Sequence, residues 1–233
     1  MKAVILAAGK GSRLKDITNH IPKPMMIFDG KPLLQHNIEL CKQHGISEIY
    51  INTHHLPEKI TEYFEDGSRF GVSIEYSYEP ELLGTSGAVK NFQKQIGNEP
   101  FFVLYGDNVS NFNLNLLEKK NNQHIESIGT VGFHHRNDIE NCGVAEFDQE
   151  NKITRFIEKP KREATSSRWV NSGVYFLQPQ IFDFIPESFS DFGKNVFPKL
   201  LKQKKSLYGV CCNTKVLAFD TEQLANQSKK EQL

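Results

Sequence analysis

The chain reads as an α/β protein: a mainly parallel, mixed sheet flanked by helices, with a β-rich subregion after it. Three observations predict this. Apolar runs ending in glycine or a polar turn alternate with helical spacings through the first half of the chain. The first run, KAVILAA at 2–8, is apolar from Ala3 onward, as suits a strand covered on both faces. Beyond about residue 125 the pattern changes to short segments joined by polar turns. Strand, helix, strand, helix implies crossover connections, and crossovers give parallel neighbours.

Taken in order, residues 2–8 are a strand broken by Gly9. Residues 32–44 (PLLQHNIELCKQH) place Leu33, Leu34, Ile38 and Cys41 on one side, between Pro32 and Gly45, and predict a helix. ISEIYINTH at 46–54 is a second strand, 57–65 a helix opened by Pro57, and VSIEYSY at 72–78 an alternating strand. TSGAVKNFQKQIG at 85–97 is expected to be one helix with Thr85 as its cap, and FFVLYGDN at 101–108 a buried strand ending in Gly-Asp. SIGTVGFHH, GVAEFDQENKITRFIEKP and WVNSGVYFL supply short strands, with D-Q-E-N-K as a hairpin connection. Residues 190–204 are helical in part, LYGVCC and KVLAFD are late strands, and the tail from Thr221 is a polar helix with a frayed end.

The 233 residues fit one domain, 1–233, with 1–124 mainly one binding half and 125–220 mainly another. Lys plus Arg and Asp plus Glu are 28 each, so the charge gives no argument for nucleic acid or an anionic membrane. No segment approaches the ~20 apolar residues of a membrane helix, and the N-terminal apolar run is too short for a signal peptide. The cytoplasm is the expected location. Cys41, Cys142, Cys211 and Cys212 show no C-x-x-C or zinc spacing and read as small hydrophobes in a reducing compartment. The doublets His54-His55 and His134-His135 lie on strands, where neighbours point to opposite faces, so neither pair chelates as such.

Leu6-Ala7-Ala8-Gly9-Lys10-Gly11-Ser12-Arg13 follows the first strand. Small residues let backbone approach a ligand and leave N–H groups for phosphate oxygens, and Arg13 adds a planar charged fork. A P-loop would end Gly-Lys-Ser/Thr, but Ser12 and Arg13 follow Gly11; the dinucleotide fingerprint needs a third glycine where Leu14 stands. A ligand-free strand-to-helix turn is the alternative. Ile21-Pro22-Lys23-Pro24-Met25 presents a lysine between two prolines on a stiff turn, which favours a second phosphate ligand.

At this point the chain resembles a known family. L-A-A-G-K-G-S-R-L followed by I-P-K-P-M looks like the signature of the sugar-phosphate nucleotidyltransferases, and the resemblance continues from Met1 to about Leu224. It implies a Rossmann-like, GT-A-like fold. It also implies a reaction of a nucleoside triphosphate with a sugar 1-phosphate to give an NDP-sugar and pyrophosphate. Leu6, Ala7, Ala8, Gly9, Gly11, Ser12, Arg13 and Lys23 would then hold the triphosphate. Glu79-Pro80-Glu81-Leu82-Leu83-Gly84-Thr85-Ser86-Gly87-Ala88 resembles the family segment beside the nucleobase; Gly84 and Thr85 would border the base, and Glu79 could accept its N–H groups.

In Tyr105-Gly106-Asp107-Asn108, Asp107 matches the family's metal-binding aspartate, which implies Mg²⁺. Asn141-Cys142-Gly143-Val144 resembles a Y-G-V segment with Cys142 replacing the aromatic, and Phe156-Ile157-Glu158-Lys159-Pro160 matches E-K-P. Asn171-Ser172-Gly173-Val174-Tyr175 resembles N-x-G-x-Y. Gly143, Glu158, Asn171 and Gly173 would lie on the sugar and Lys159 on its phosphate. Asp220 aligns with a second metal-binding aspartate, although two residues of the usual D-I-G-T-P-E-D-L are missing after it.

The implied catalytic set is Arg13, Lys23, Asp107 and Lys159, and Asp107→Asn is expected to abolish turnover with the fold intact. Glu79 and the segment Asp191-Phe192-Gly193-Lys194, itself read as structural, resemble guanylyltransferases for mannose or a manno-heptose 1-phosphate. Uridylyl, thymidylyl or cytidylyl transfer and a catalytically silent nucleotide-sugar sensor are the alternatives. The chain shows no hexapeptide-repeat β-helix of the kind larger relatives carry. The expected partners are the two small-molecule substrates and a second copy in a homodimer, with no nucleic acid or membrane.

Overall fold

The computed structural model describes residues 1–9, 11, 19–213 and 215–219. The chain divides into two compact units, Met1–Leu82 with Leu104–Asn111 and Val216–Leu233, and Leu83–Val103 with Phe112–Lys215. The class is α/β with a mostly parallel sheet and flanking helices, as the alternation predicts.

In the first unit β1 (Lys2–Leu6) buries Ala3, Val4 and Ile5 completely, which explains the unbroken apolar run. β2 (Ile27–Phe28) and β3 (Lys31–Pro32) form a small antiparallel hairpin turned by Asp29 and Gly30, both at positive φ. The helix Leu33–Gln43 follows Pro32 and buries Leu33, Leu34, Ile38 and Cys41, the face its spacing predicts. β4 (Glu48–Thr53) pairs parallel with β1, and β5 (Ser73–Tyr78) pairs parallel with β4, with the helix Pro57–Phe64 in the crossover.

β6 (Phe101–Tyr105) carries the chain from the second unit into the first, where β7 (Asn108–Ser110) pairs antiparallel with Val216–Ala218. Met26, Phe28, Leu33 and Phe219 form a small core here, and the Phe28 and Phe219 rings meet edge-on at 5.1 Å. Each such side chain contributes about 1.5–3 kcal/mol by leaving water. This core pins the end of the described chain next to β7.

In the second unit β8 (Ser127–His135) pairs antiparallel with β11 (Trp169–Leu177), and β11 pairs antiparallel with β9 (Gly143–Phe147). β9 pairs antiparallel with β10 (Ile153–Glu158), and β12 (Ser206–Cys212) lies parallel to β8. The D-Q-E-N-K connection is the expected hairpin turn. Asp148 accepts the N–H groups of Glu150 and Lys152 at 2.9 Å each, and Asn151 takes positive φ.

Three elements differ from expectation. The single helix expected at 85–97 is two, Gly84–Lys90 and Gln93–Ile96, and Thr85 does not cap it because its hydroxyl accepts the Phe192 N–H instead, at 2.9 Å. Residues 192–196 form a π-helix that leads into the helix Phe197–Lys202. The helix Leu114–Asn122 has no counterpart in the sequence reading; its signal was Asn113, whose side chain accepts the Asn115 N–H at 3.1 Å. All four cysteines are free, with Cys41 buried and the other three partly exposed. Among the described residues no helix is long and apolar enough to cross a membrane.

Candidate functional site

In the first unit the parallel strands β1, β4 and β5 deliver Leu6, Thr53 and Tyr78 to one edge of the sheet, the carboxyl edge where open α/β sheets bind ligands. Leu6 accepts the Gly106 N–H at 2.9 Å. An added Cβ on Gly106 would come 2.9 Å from that same oxygen, so only glycine lets the chain pass this close to β1. Asp107 is thereby seated beside the start of the glycine-rich loop.

Lys23 reaches Asp107 across 84 residues, with Nζ 2.5 Å from Oδ2. Pro22, extended at ψ 146°, and Pro24 fix the short turn Lys23–Met25 that presents the lysine. The Lys23 side chain is 7% exposed and the Asp107 side chain 30%. A buried ammonium needs a close countercharge, and Asp107 provides it. The backbone just after Asp107 is held by Asn37, a residue the sequence reading missed. The Asn37 amide donates to the Asn108 carbonyl at 2.8 Å and to the Leu33 carbonyl at 3.1 Å.

Ala7 and Ala8 are buried, Gly9 is exposed with open space on its Cβ side, and Gly11 has φ +60°. The Ala7 N–H donates to Asn52 Oδ1 at 2.8 Å, so it is committed inside the protein rather than offered to a phosphate. The Asn52 amide in turn donates to Glu79 Oε1 at 2.8 Å. Glu79 is 1% exposed, and its backbone is fixed by Thr53 and by His54 Nδ1 at 2.8 Å each. As placed, its carboxylate supports the loop through Asn52 and presents no surface to a base. Asn52 also escaped the sequence reading, because only the parallel register of β4 on β1 sets it beside the loop. Ser12, Arg13 and Asp220 lie outside the described residues.

In the second unit the sugar-side candidates gather on neighbouring strands. Gly143 is opposite Glu158 in the β9–β10 register, and Val144 is opposite Val170, which precedes Asn171. An added Cβ on Gly143 would meet Glu158 Oε2 at 2.9 Å, so the glycine makes room for that carboxylate. Burial first, and Asp191 after it, raises the Glu158 carboxyl above the ordinary glutamate range, while Lys159 and Lys194 oppose the shift. Lys159 takes φ +50°, uncommon for a side chain with a Cβ, and its N–H donates to the Cys142 carbonyl at 2.9 Å.

Asn171 donates to the Tyr175 hydroxyl at 2.8 Å and accepts the Gly173 N–H at 2.9 Å. Gly173, at φ +68°, sits where the β11 register shifts, so its glycine serves a bulge.

Gly84, at φ +76°, turns its Cβ side onto the Ser190 backbone, and the Thr85 N–H and hydroxyl both meet Asp191 Oδ1, at 3.1 and 3.3 Å. These bonds tie the Asp191–Lys194 segment to the Gly84–Thr85 turn. Of the histidine doublets, His134 turns inward to Ser172 Oγ at 3.0 Å, while His135 stands edge-on to Trp169. Burial pushes His134 down to about 4.

Among the described residues no group of three or more His, Cys, Asp or Glu gathers as a metal site. Asp107 alone still fits Mg²⁺, which keeps several waters and takes one or two carboxylates plus substrate phosphates.

The profile of the nucleotidyl transferase family matches residues 2–216, and the chain belongs to that family. It is 38% identical over 224 residues to a UTP–glucose-1-phosphate uridylyltransferase of Synechocystis sp., covering 90% of this chain and 58% of that protein. It is 34% identical over 213 residues to mannose-1-phosphate guanyltransferase 2 of Candida glabrata, covering 89% and 58%. The chain therefore spans 58% of the length of these curated relatives. The structure of HddC from Yersinia pseudotuberculosis, complexed with GMP-PN, superposes with a TM-score of 0.82 at 23% identity over 100% of this chain and 99% of that one, a likeness of fold.

Proposed function

We propose that this member of the nucleotidyl transferase family transfers a nucleotidyl group from a nucleoside triphosphate to a sugar 1-phosphate, releasing pyrophosphate. The observation that carries the reading is the Lys23–Asp107 pair beside the end of β1, where a phosphate ligand and a metal ligand are both expected. The sugar-phosphate oxygen attacks the α-phosphorus in line, and pyrophosphate departs opposite. The nucleophile is already ionised, so no general base is needed; positioning and charge neutralisation carry the step.

Lys23 lies by the α-phosphate, leaving Asp107 as the substrate phosphates arrive. A divalent cation, Mg²⁺ in this reading, would be held by Asp107 with Asp220 and would supply neutralisation of phosphate charge. Arg13 and Ser12 hold the triphosphate on the strength of the resemblance. In the second unit Lys159 places the attacking phosphate, and Glu158 accepts sugar hydroxyls, with Gly143, Asn171 and Gly173 shaping its surroundings. Gly84 and Thr85 border the base.

GTP with mannose or manno-heptose 1-phosphate is the favoured pair. It is supported by the D-F-G-K resemblance and by the guanylyl-transferring relative; the uridylyltransferase relative supports UTP with a glucose 1-phosphate. The test is pyrophosphate release with each of the four common nucleoside triphosphates against a panel of sugar 1-phosphates. Release with one pair supports the reading, and its absence with every pair refutes it. Lys159→Ala should then raise the KM for sugar phosphate well above any change for the triphosphate; an equal effect rejects its role.

A further inference from the structure

The segment Ser190–Lys194 is joined to two different parts of the second unit. On one side it grips the turn that opens the helix Gly84–Lys90. The Ser190 N–H donates to the Leu83 carbonyl at 2.8 Å, and the Ser190 carbonyl accepts from Ser86 at 3.0 Å and Gly87 at 3.1 Å. Asp191 Oδ1 takes the Thr85 N–H and hydroxyl, and Thr85 Oγ takes the Phe192 N–H. On the other side Gly193 lies against Glu158, where an added Cβ would fall on Oε2. Asp191 Oδ2 faces Lys194 Nζ at 3.6 Å, and its own backbone is held by Asn195 Oδ1 at 2.8 Å. The link between the two sides is a π-helix, a rare geometry found frequently at functional sites.

We propose that Asp191 is a positioning residue, locking the Gly84–Gly87 turn to the Glu158 carboxylate so that the base-bordering and sugar-binding parts of this unit keep one geometry. The proposal rests on the functional reading above. A carboxylate suits the task because its two oxygens act in different directions. One receives two donors from Thr85, and the other faces the ammonium of Lys194.

Asp191→Asn and Asp191→Ala separate the two roles. Asparagine keeps a carbonyl oxygen for Thr85 and removes the charge facing Lys194; alanine removes both. With the substrates the wild type turns over, Asp191→Ala should raise both KM values about tenfold, and Asp191→Asn only that for sugar phosphate. The groups facing Glu158 are Lys159, Lys194 and Asp191. Losing the Asp191 charge lets Glu158 ionise more easily, so the acid limb of kcat/KM should move to lower pH in Asp191→Asn. Unchanged KM values and an unmoved acid limb, with only the folded fraction reduced, would overturn the proposal.

Hydrogen exchange without substrate decides it independently. Asp191→Ala should speed exchange about tenfold in both 83–90 and 153–160. Acceleration confined to 188–196 overturns the coupling. If the wild type turns over no substrate pair, the functional reading falls and the exchange result alone judges Asp191.

Discussion

Removing one member of the Lys23–Asp107 pair should cost different amounts depending on which member is removed. The Lys23 side chain is 7% exposed and that of Asp107 30%, so solvent reaches the carboxylate and hardly reaches the ammonium. Asp107→Asn keeps the ammonium buried and puts a neutral amide where the carboxylate stands 2.5 Å from it. Breaking a fully buried pair costs about 3–5 kcal/mol, and discounting for the exposure of Asp107 leaves about 2–3 kcal/mol. Lys23→Met places an unbranched apolar chain of similar length in the same slot and leaves a carboxylate that water can solvate, which costs about 1 kcal/mol or less. At roughly 2–4 °C per kcal/mol for a chain of this size, Asp107→Asn should melt about 4–12 °C below wild type and Lys23→Met no more than about 4 °C below.

Thermal unfolding followed by far-UV circular dichroism makes the measurement. Trp169 is the chain's one tryptophan and lies in the second unit, so its fluorescence does not report on the pair. Both variants should lose turnover. Equal destabilisation, or a larger loss for Lys23→Met, would refute the reasoning from burial. The sequence alone predicts an intact fold for Asp107→Asn; the buried partner adds the stability cost.

Three further outcomes follow from named contacts. Gly193→Ala puts a methyl on Glu158 Oε2 and should raise the KM for sugar phosphate roughly tenfold, about 1.4 kcal/mol, with the KM for triphosphate unchanged; a matched rise in both would count against the placement. Gly84→Ala combines φ +76° with the Ser190 carbonyl behind it and should lower stability by about 2–4 kcal/mol, read as a lower urea midpoint. His134 is neutral when folded, pushed to about 4 from 6.5, so the unfolded chain binds the extra proton between those values and stability should fall as pH drops through that window. The urea midpoint of His134→Gln should show a flatter slope there, and an unchanged slope would show that other groups set it.

The local signals were read directly from the chain. The period of Leu33, Leu34, Ile38 and Cys41, the apolar run Ala3–Ile5 and the Asp148 turn each depend on neighbours a few residues away. Two prolines marked Lys23, because they fix the turn that presents it, whereas Asp107, Gly143, Glu158 and Lys159 were marked by their resemblance to the family's motifs. The helix Leu114–Asn122 escaped notice because its asparagine-rich composition weakens propensity, while its cap is a single side chain.

By itself, then, the sequence determined the class of fold and most of its elements in order, and its resemblance to a family nominated the candidate site residues. Tertiary structure alone decided which of them meet. Asn52 lies between Ala7 and Glu79 only through the register of β4 on β1. Thr85 serves Asp191, 106 residues away, rather than capping its own helix. The physical reason is that periodicity and turn chemistry act over a few residues, whereas a buried amide or carboxylate must find its partner wherever packing brings a donor within about 3 Å.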